Sequence, residues 1–251
     1  MANNTQNTTI SLTFGDAGEN HNGMEMLGNL GEEGTGFTCD ELRRLEATLD
    51  NAEYHSLGEN AAVLIIRKFI DSEQHNLLFS ELLKLEWDKK YFCTRRQKVL
   101  NKHARSNIMI LDGVEQEPDY ENAKGRIVQT ESLPILGSIK KRLAETIGPK
   151  GENLICEGNR YEDNKKNGIG FHGDSERRKV IALRLGSSMN MHWQWFHHSK
   201  PIGDRMIFTI NGGDMYIMSE KAVGNDWKRR SIPTLRHAAG ADKYINIKKK
   251  K

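Results

Sequence analysis

Beyond residue 153 the chain breaks into short strand-forming runs: NLICEGNRY, GIGFHGD, KVIALRLG, MHWQWFHH, RMIFTI, GDMYIMS and, more weakly, KYINIK. Turns containing Gly, Asn, Lys or Ser separate them. Many short strands joined by turns fold as an antiparallel sandwich or a jelly-roll barrel, because each strand must bury one face against a second sheet. This texture excludes a helical bundle for the second part of the chain.

The first part reads differently. Thr38 followed by Glu41 is a capping-box signature, with Leu42, Leu45 and Leu49 at helical spacing behind it. Residues 61–69 (AAVLIIRKF) read as a strand entering the core. Asp71 can cap a helix whose Leu77, Leu78, Leu82, Leu83 and Leu85 give a buried stripe up to Trp87. Pro134 opens a second amphipathic helix ending near Ile147. Helices ahead of a barrel can cover one of its sheets, so the expected class is α+β, with supporting helices packed on one sheet of an all-β core.

The charge is unevenly spread. Residues 1–60 hold eleven acidic and two basic side chains, a net −9 in a chain whose total is +3, leaving +12 for residues 61–251. Residues 1–60 are therefore expected as an acidic extension, partly loop, and residues 61–251 as the functional domain. A basic body suits a polyanionic partner, although a charge run is ordinarily just a solvated face. No run approaches eighteen apolar residues, and the start lacks the basic and apolar regions of a signal peptide, so no membrane span is expected. Cys39, Cys93 and Cys156 are odd in number and far apart, as in an intracellular protein with reduced thiols. A monomer is expected.

Chemistry concentrates in GFHGD. Side chains at i and i+2 of a strand share a face, so His172 and Asp174 can present an imidazole and a carboxylate together. Two imidazoles and one carboxylate on one face of an octahedron leave three positions open, which is the facial arrangement of non-haem iron(II) oxygenases. An HxD tripeptide alone is common, and a lone His or Asp is usually a loop hydrogen bond. The third ligand must come from elsewhere among nine histidines. His237, in TLRHAAG, follows after several strands and is the leading choice, with His197 and His198 as rivals in the Trp-rich run.

Residues 153–249 resemble the AlkB-like 2-oxoglutarate- and iron(II)-dependent dioxygenases. The matching pieces are Asn159-Arg160-Tyr161, GIGFHGDSERR, VIALRLG and GGDMYIMS, in the family's order and approximate spacing. The resemblance implies a double-stranded β-helix, that is, a jelly roll. It also implies Fe(II) at His172, Asp174 and His237, 2-oxoglutarate carboxylates held by Asn159 and Tyr161, and dioxygen as co-substrate. The sequence departs from the family after His237. Where arginines are expected to clamp the distal carboxylate, Lys243 and Lys249 stand at the matching spacing, so the anchor is one of these lysines or an arginine such as Arg184 or Arg236.

The resemblance further implies oxidation of a methyl group on a nucleic-acid base, by demethylation as in DNA repair or by stable hydroxylation, on a single strand or a flipped base. Glu176, beside Arg177, stands where the family reads the base. Residues 94–107 stand where it has a lid, and carry Arg95, Arg96, Lys98, Lys102, His103 and Arg105. Trp227, Lys228, Arg229 and Arg230 offer a second cationic patch with an aromatic. Two other functions compete: a hydroxylase of protein or small molecules on the same scaffold, and a silent jelly roll that only binds nucleic acid.

Overall fold

The computed structural model describes residues 5–247. The chain opens with strands β1 (Thr9–Gly15), β2 (Ala17–Glu19) and β3 (Met26–Gly28), then helix α1 (Cys39–Glu46). Strands β4 (Ala52–Gly58) and β5 (Ala61–Ile66) precede helix α2 (Ser72–Lys84). Four short strands follow: β6 (Lys90–Cys93), β7 (Lys98–Asn101), β8 (Ser106–Leu111) and β9 (Ile127–Gln129), before helix α3 (Pro134–Ile147). The remainder holds β10 (Ile155–Tyr161), β11 (Gly168–His172), β12 (Val180–Gly186), β13 (Met189–His197), β14 (Lys200–Ile210) and β15 (Met215–Met218). A one-turn helix α4 (Glu220–Val223), strand β16 (Thr234–Gly240) and a last turn α5 (Asp242–Ile245) complete it.

The class is α+β, built mostly from strands. Eight of them form one sheet in the order β4-β5-β15-β12-β1-β10-β8-β9, antiparallel except for β8 beside β9. Four form a smaller antiparallel sheet, β11-β16-β13-β14. Alternate residues of the larger sheet serve two cores. Leu64, Ile181, Leu183, Ile217 and their neighbours pack against Leu42 of α1, Leu78 and Leu82 of α2, and Leu136, Ile139 and Leu143 of α3. On the other face Val63, Ile65, Ala182 and Met218 pack against Met191, Trp193 and Leu235 of the smaller sheet. With both faces covered, a strand can be apolar throughout, as AAVLII is, and VIALRL is broken only by Arg184.

The helix signals hold. Thr38 accepts from the Glu41 N–H at 3.2 Å while Glu41 accepts from the Thr38 N–H at 2.8 Å, and Asp71 caps α2 through the Gln74 N–H at 2.8 Å. Of the leucine stripe in α2, Leu77 points away from the core and is 50% exposed. Among the described residues no helix is long and apolar enough to cross a membrane.

Two corrections concern the chain's ends. Residues before 60 are built into the fold, since β1 lies at the centre of the larger sheet, hydrogen-bonded to β10 on one side and β12 on the other. TISLTFG alternates Ile10, Leu12 and Phe14 toward the helices with Ser11 and Thr13 toward the other face. The weak strand expected at KYINIK is α5 instead, as far as it is described. There the Tyr244 N–H donates to the Ala241 carbonyl at 2.9 Å and the Asn246 N–H to the Asp242 carbonyl at 2.8 Å, local bonds that wind the segment into a turn.

If β1 is a core strand, Leu12→Ala should lower the unfolding free energy in urea by about 2–5 kcal/mol. Leu77→Ala should change it by less than about 0.5 kcal/mol. A silent Leu12→Ala would mean that the N-terminal segment is dispensable.

Candidate metal centre and its cavity

Strands β11 and β16 pair antiparallel with His172 opposite His237, which puts the two imidazoles on one face of the smaller sheet. Their ring centroids are 4.4 Å apart. Just past the end of β11, the Asp174 N–H donates to the Val223 carbonyl at 3.0 Å, and Asn225 donates to the Asp174 carbonyl at 2.8 Å. Gly173 makes this tuck possible, because a Cβ there would lie 2.2 Å from the Gly224 carbonyl oxygen. The Asp174 carboxylate ends 3.4 Å from His172 Nε2 through one oxygen and 3.8 Å from His237 Nε2 through the other. Ligand atoms of all three residues lie within 4.8 Å of one another.

Protonation states suit a cation. Burial, then the neighbouring His172, holds His237 down to about 4, so its ring is neutral near pH 7. Burial opposes ionisation of Asp174, but His237, His172 and Arg177 outweigh it and keep the carboxyl well below its ordinary range. His172 Nδ1 lies 2.8 Å from the Gly170 carbonyl, a contact that puts the proton on Nδ1 and leaves the Nε2 lone pair facing the cluster. Two imidazole nitrogens and one carboxylate are thus turned toward one point. Cis ligands about 2.0–2.2 Å from a shared ion would sit about 3 Å apart, a small contraction from what is seen. The rivals lie elsewhere: the His197 and His198 rings are 4.2 Å apart and tilted to each other, and neither lines the cavity.

The cluster forms part of the wall of a cavity of about 770 Å³ between the two sheets. Asn159 and Tyr161 of β10, Arg184 of β12, Ser11 and Thr13 of β1 and Tyr216 of β15 supply the facing wall. Exposed Met26 and Leu30 from the N-terminal segment, with Trp227 and exposed Lys228, stand at its opening. A connected polar group crosses the larger sheet. Asn159 Oδ1 accepts from Arg105 and Asn107, Asn159 donates to Glu157 at 3.0 Å, and Arg177 donates to the other Glu157 oxygen at 2.6 Å. Arg177 also reaches Glu176 at 3.2 Å.

The structure therefore gathers His172, Asp174, His237, Asn159, Tyr161, Arg184, Glu176, Arg105, Trp227 and Lys228 around one space. Burial, then the nearby Asp174, raises Glu176 to about 7, with Arg177 opposing. Arg177 lines the same space but is 3% exposed and spent on two carboxylates, which makes it a counter-ion and not a surface for a ligand. Lys102 is turned inward onto Asn20. Arg95, Arg96, Lys98 and His103 are exposed on and beside the β6–β7 hairpin, off the cavity wall. Arg229 lines a separate surface pocket and Arg230 is exposed. Arg236 points to the opposite face of β16, its guanidinium 4.4 Å over Phe196 and 5.4 Å over Trp227. Lys243 sits exposed on α5 above the Tyr244 ring, away from the cavity, and Lys249 lies outside the described residues.

Sequence reasoning missed Ser11, Thr13, His21 and Tyr216 on the cavity wall. For the first two the signal was present, in the polar–apolar alternation of TISLTFG.

Removing Arg177 strands two buried carboxylates, so Arg177→Met is expected to lower stability at pH 7 by about 3–5 kcal/mol in denaturant unfolding. A change below about 1 kcal/mol would contradict the buried pair. Lys102 gives a pH signature. Burial, opposed by Asp88 and reinforced by Arg105, lowers its ammonium from 10.5 to about 7. The unfolded chain then binds more protons between about 7 and 10.5, so this group makes stability rise with pH over that interval. Lys102→Met should flatten the slope, and equal slopes in both proteins would refute the assignment.

No protein-family model matches the chain. It is 42% identical over 253 aligned positions to the "Uncharacterized protein R156" of Acanthamoeba polyphaga mimivirus, an alignment that covers 94% of this chain and 97% of that protein. At that identity and coverage, the chain belongs to the same family as the mimivirus protein.

Proposed function

We propose that the protein is an iron(II)- and 2-oxoglutarate-dependent dioxygenase of the AlkB-like type. The observation that carries this reading is the facial set His172, Asp174 and His237, at the wall of a cavity large enough for a small co-substrate and a reacting group. Zinc sites of structural type close their coordination shell with four protein ligands, whereas three ligands beside a cavity leave positions for other molecules.

Strand order supports the jelly-roll reading. From β10 to β16 the chain crosses repeatedly between the sheets, and β16 lies between β11 and β13 in the smaller one. A following strand would belong between β10 and β12 in the larger sheet, the position β1 holds. We infer a double-stranded β-helix whose closing strand comes from the N-terminal segment.

Iron(II) with 2-oxoglutarate, when bound, supplies the activation of dioxygen needed to oxidise a C–H bond. The chain's own contribution is orientation. Neutral His237 and the fixed tautomer of His172 offer nitrogen lone pairs, and ionised Asp174 offsets part of the metal charge. Asn159 and Tyr161 turn neutral polar groups into the same space, suited to a carboxylate. Met26, Leu30 and Trp227 restrict water at the opening.

For the substrate, we take a methylated base in a nucleic-acid strand. Trp227 with Lys228 5.6 Å over its ring, and Arg105 on the same cavity, combine stacking surface with cations at the entrance. Glu176, raised to about 7, can donate or accept a hydrogen bond with an exocyclic group.

The test is succinate release from 2-oxoglutarate with Fe(II), with and without methylated single-stranded oligonucleotides. Wild type should turn over, with stimulation by the methylated strand, and His172→Ala should not. Wild type indistinguishable from His172→Ala under all conditions would end the dioxygenase reading. Stimulation by peptides or small molecules but never by nucleic acid would end the substrate assignment alone.

A further inference from the structure

Arg184 presents a physical problem. It is 1% exposed, and its Nε and one terminal nitrogen are buried with no hydrogen-bond partner. Among the described residues no carboxylate pairs with it. Asp214, whose carbonyl accepts from the Arg184 N–H, pairs its carboxylate with Arg67 at 2.8 Å instead. The buried Arg177 on the same cavity, by contrast, has two carboxylate partners. A guanidinium keeps its charge at any pH a protein survives, so burial without a counter-ion is strongly unfavourable. Such a group persists in a cavity wall when an anion completes it.

The surroundings define the anion. Arg184 projects from β12 opposite Ser11 of β1, and both line the cavity. Tyr161 and Tyr216 line the same cavity within electrostatic reach of both Arg184 and Asp174, so the arginine and the metal cluster bound one interval of that space. A ligand spanning that interval needs a metal-chelating end and an anionic far end. We propose that Arg184, assisted by the Ser11 hydroxyl, anchors the distal carboxylate of a five-carbon 2-oxo diacid whose other end binds at His172, Asp174 and His237. This rests on the dioxygenase reading and assigns the anchor that the residues after His237 do not provide. Lys243 lies off the cavity, and β1, in the sheet position where a closing strand would carry a cation, has Ser11 and Thr13 on that face. The neighbouring strand supplies the missing fork.

The experiment measures binding, not turnover. Wild type, Arg184→Met and Lys243→Met are loaded with Mn(II) and titrated calorimetrically with 2-oxoglutarate and with 2-oxovalerate, which keeps the chelating end and lacks the distal carboxylate. Wild type is expected to prefer the diacid by about tenfold or more, the loss corresponding to one charge-assisted bond. Arg184→Met should bind 2-oxovalerate as wild type does and lose the preference, while Lys243→Met keeps it. Retention of the preference in Arg184→Met, or its loss in Lys243→Met, overturns the anchor and leaves the dioxygenase reading intact. Failure of Mn(II)-loaded wild type to bind either 2-oxo acid overturns both. Removing an unpaired buried charge should also raise the melting temperature of the ligand-free protein. Should Arg184→Met not fold, Arg184→Gln serves the same comparison.

Discussion

Every central strand of the larger sheet is covered on both faces, by helices on one side and by the smaller sheet on the other. That constraint assigns each residue by parity. One parity must be apolar and fit the helices, and β1, β12 and β15 obey it along their length. The opposite parity is apolar only where the smaller sheet touches it. Where the sheets diverge, the same parity carries Ser11, Thr13, Glu157, Asn159 and Arg184, and the space between becomes the cavity. A one-residue slip of β1 or β12 would exchange these sets, burying polar groups under the helices and emptying the cavity wall of function.

Buried charge is handled in two ways on this wall. Around Arg177, cation and carboxylates are matched, and the group fixes the geometry of β10 against the loop after Asp174. Around Arg184 no carboxylate is matched among the described residues, and Nε and one terminal nitrogen have no hydrogen-bond partner. The first arrangement resists change and the second awaits a partner from outside. Polar satisfaction therefore separates scaffold from recognition even where two arginines are equally buried.

Much of this was legible in the sequence. Caps at Thr38 and Asp71 and the apolar periods of α2 and α3 depend on neighbours three and four residues away, so local pattern suffices. GFHGD was readable because two candidate ligands two residues apart declare a shared face, and His237 because it follows after several strands. The remainder depends on contacts distant in sequence. Strand β8 hides between charged stretches, since SNIMIL gains its meaning from pairing with β10. The segment after β16 could not be read as a helical turn, because YINI has the composition of a strand. Arg184 stood in the sequence as one candidate anchor among several, and only its lack of a partner among the described residues singles it out.

The placement of β1 has a consequence for synthesis. Strand β1 leaves the ribosome well ahead of its partners, since Thr9 pairs with Tyr161 and with Gly186, more than 150 residues later in the chain. Until those partners emerge, an alternating apolar strand has no place in a sheet and must be kept from pairing elsewhere. The sheet's centre therefore closes late, and the cavity wall carrying Ser11 forms in that same final step. A cavity wall shared by β1, β10 and β12 can assemble only after the residues through Gly186 are present.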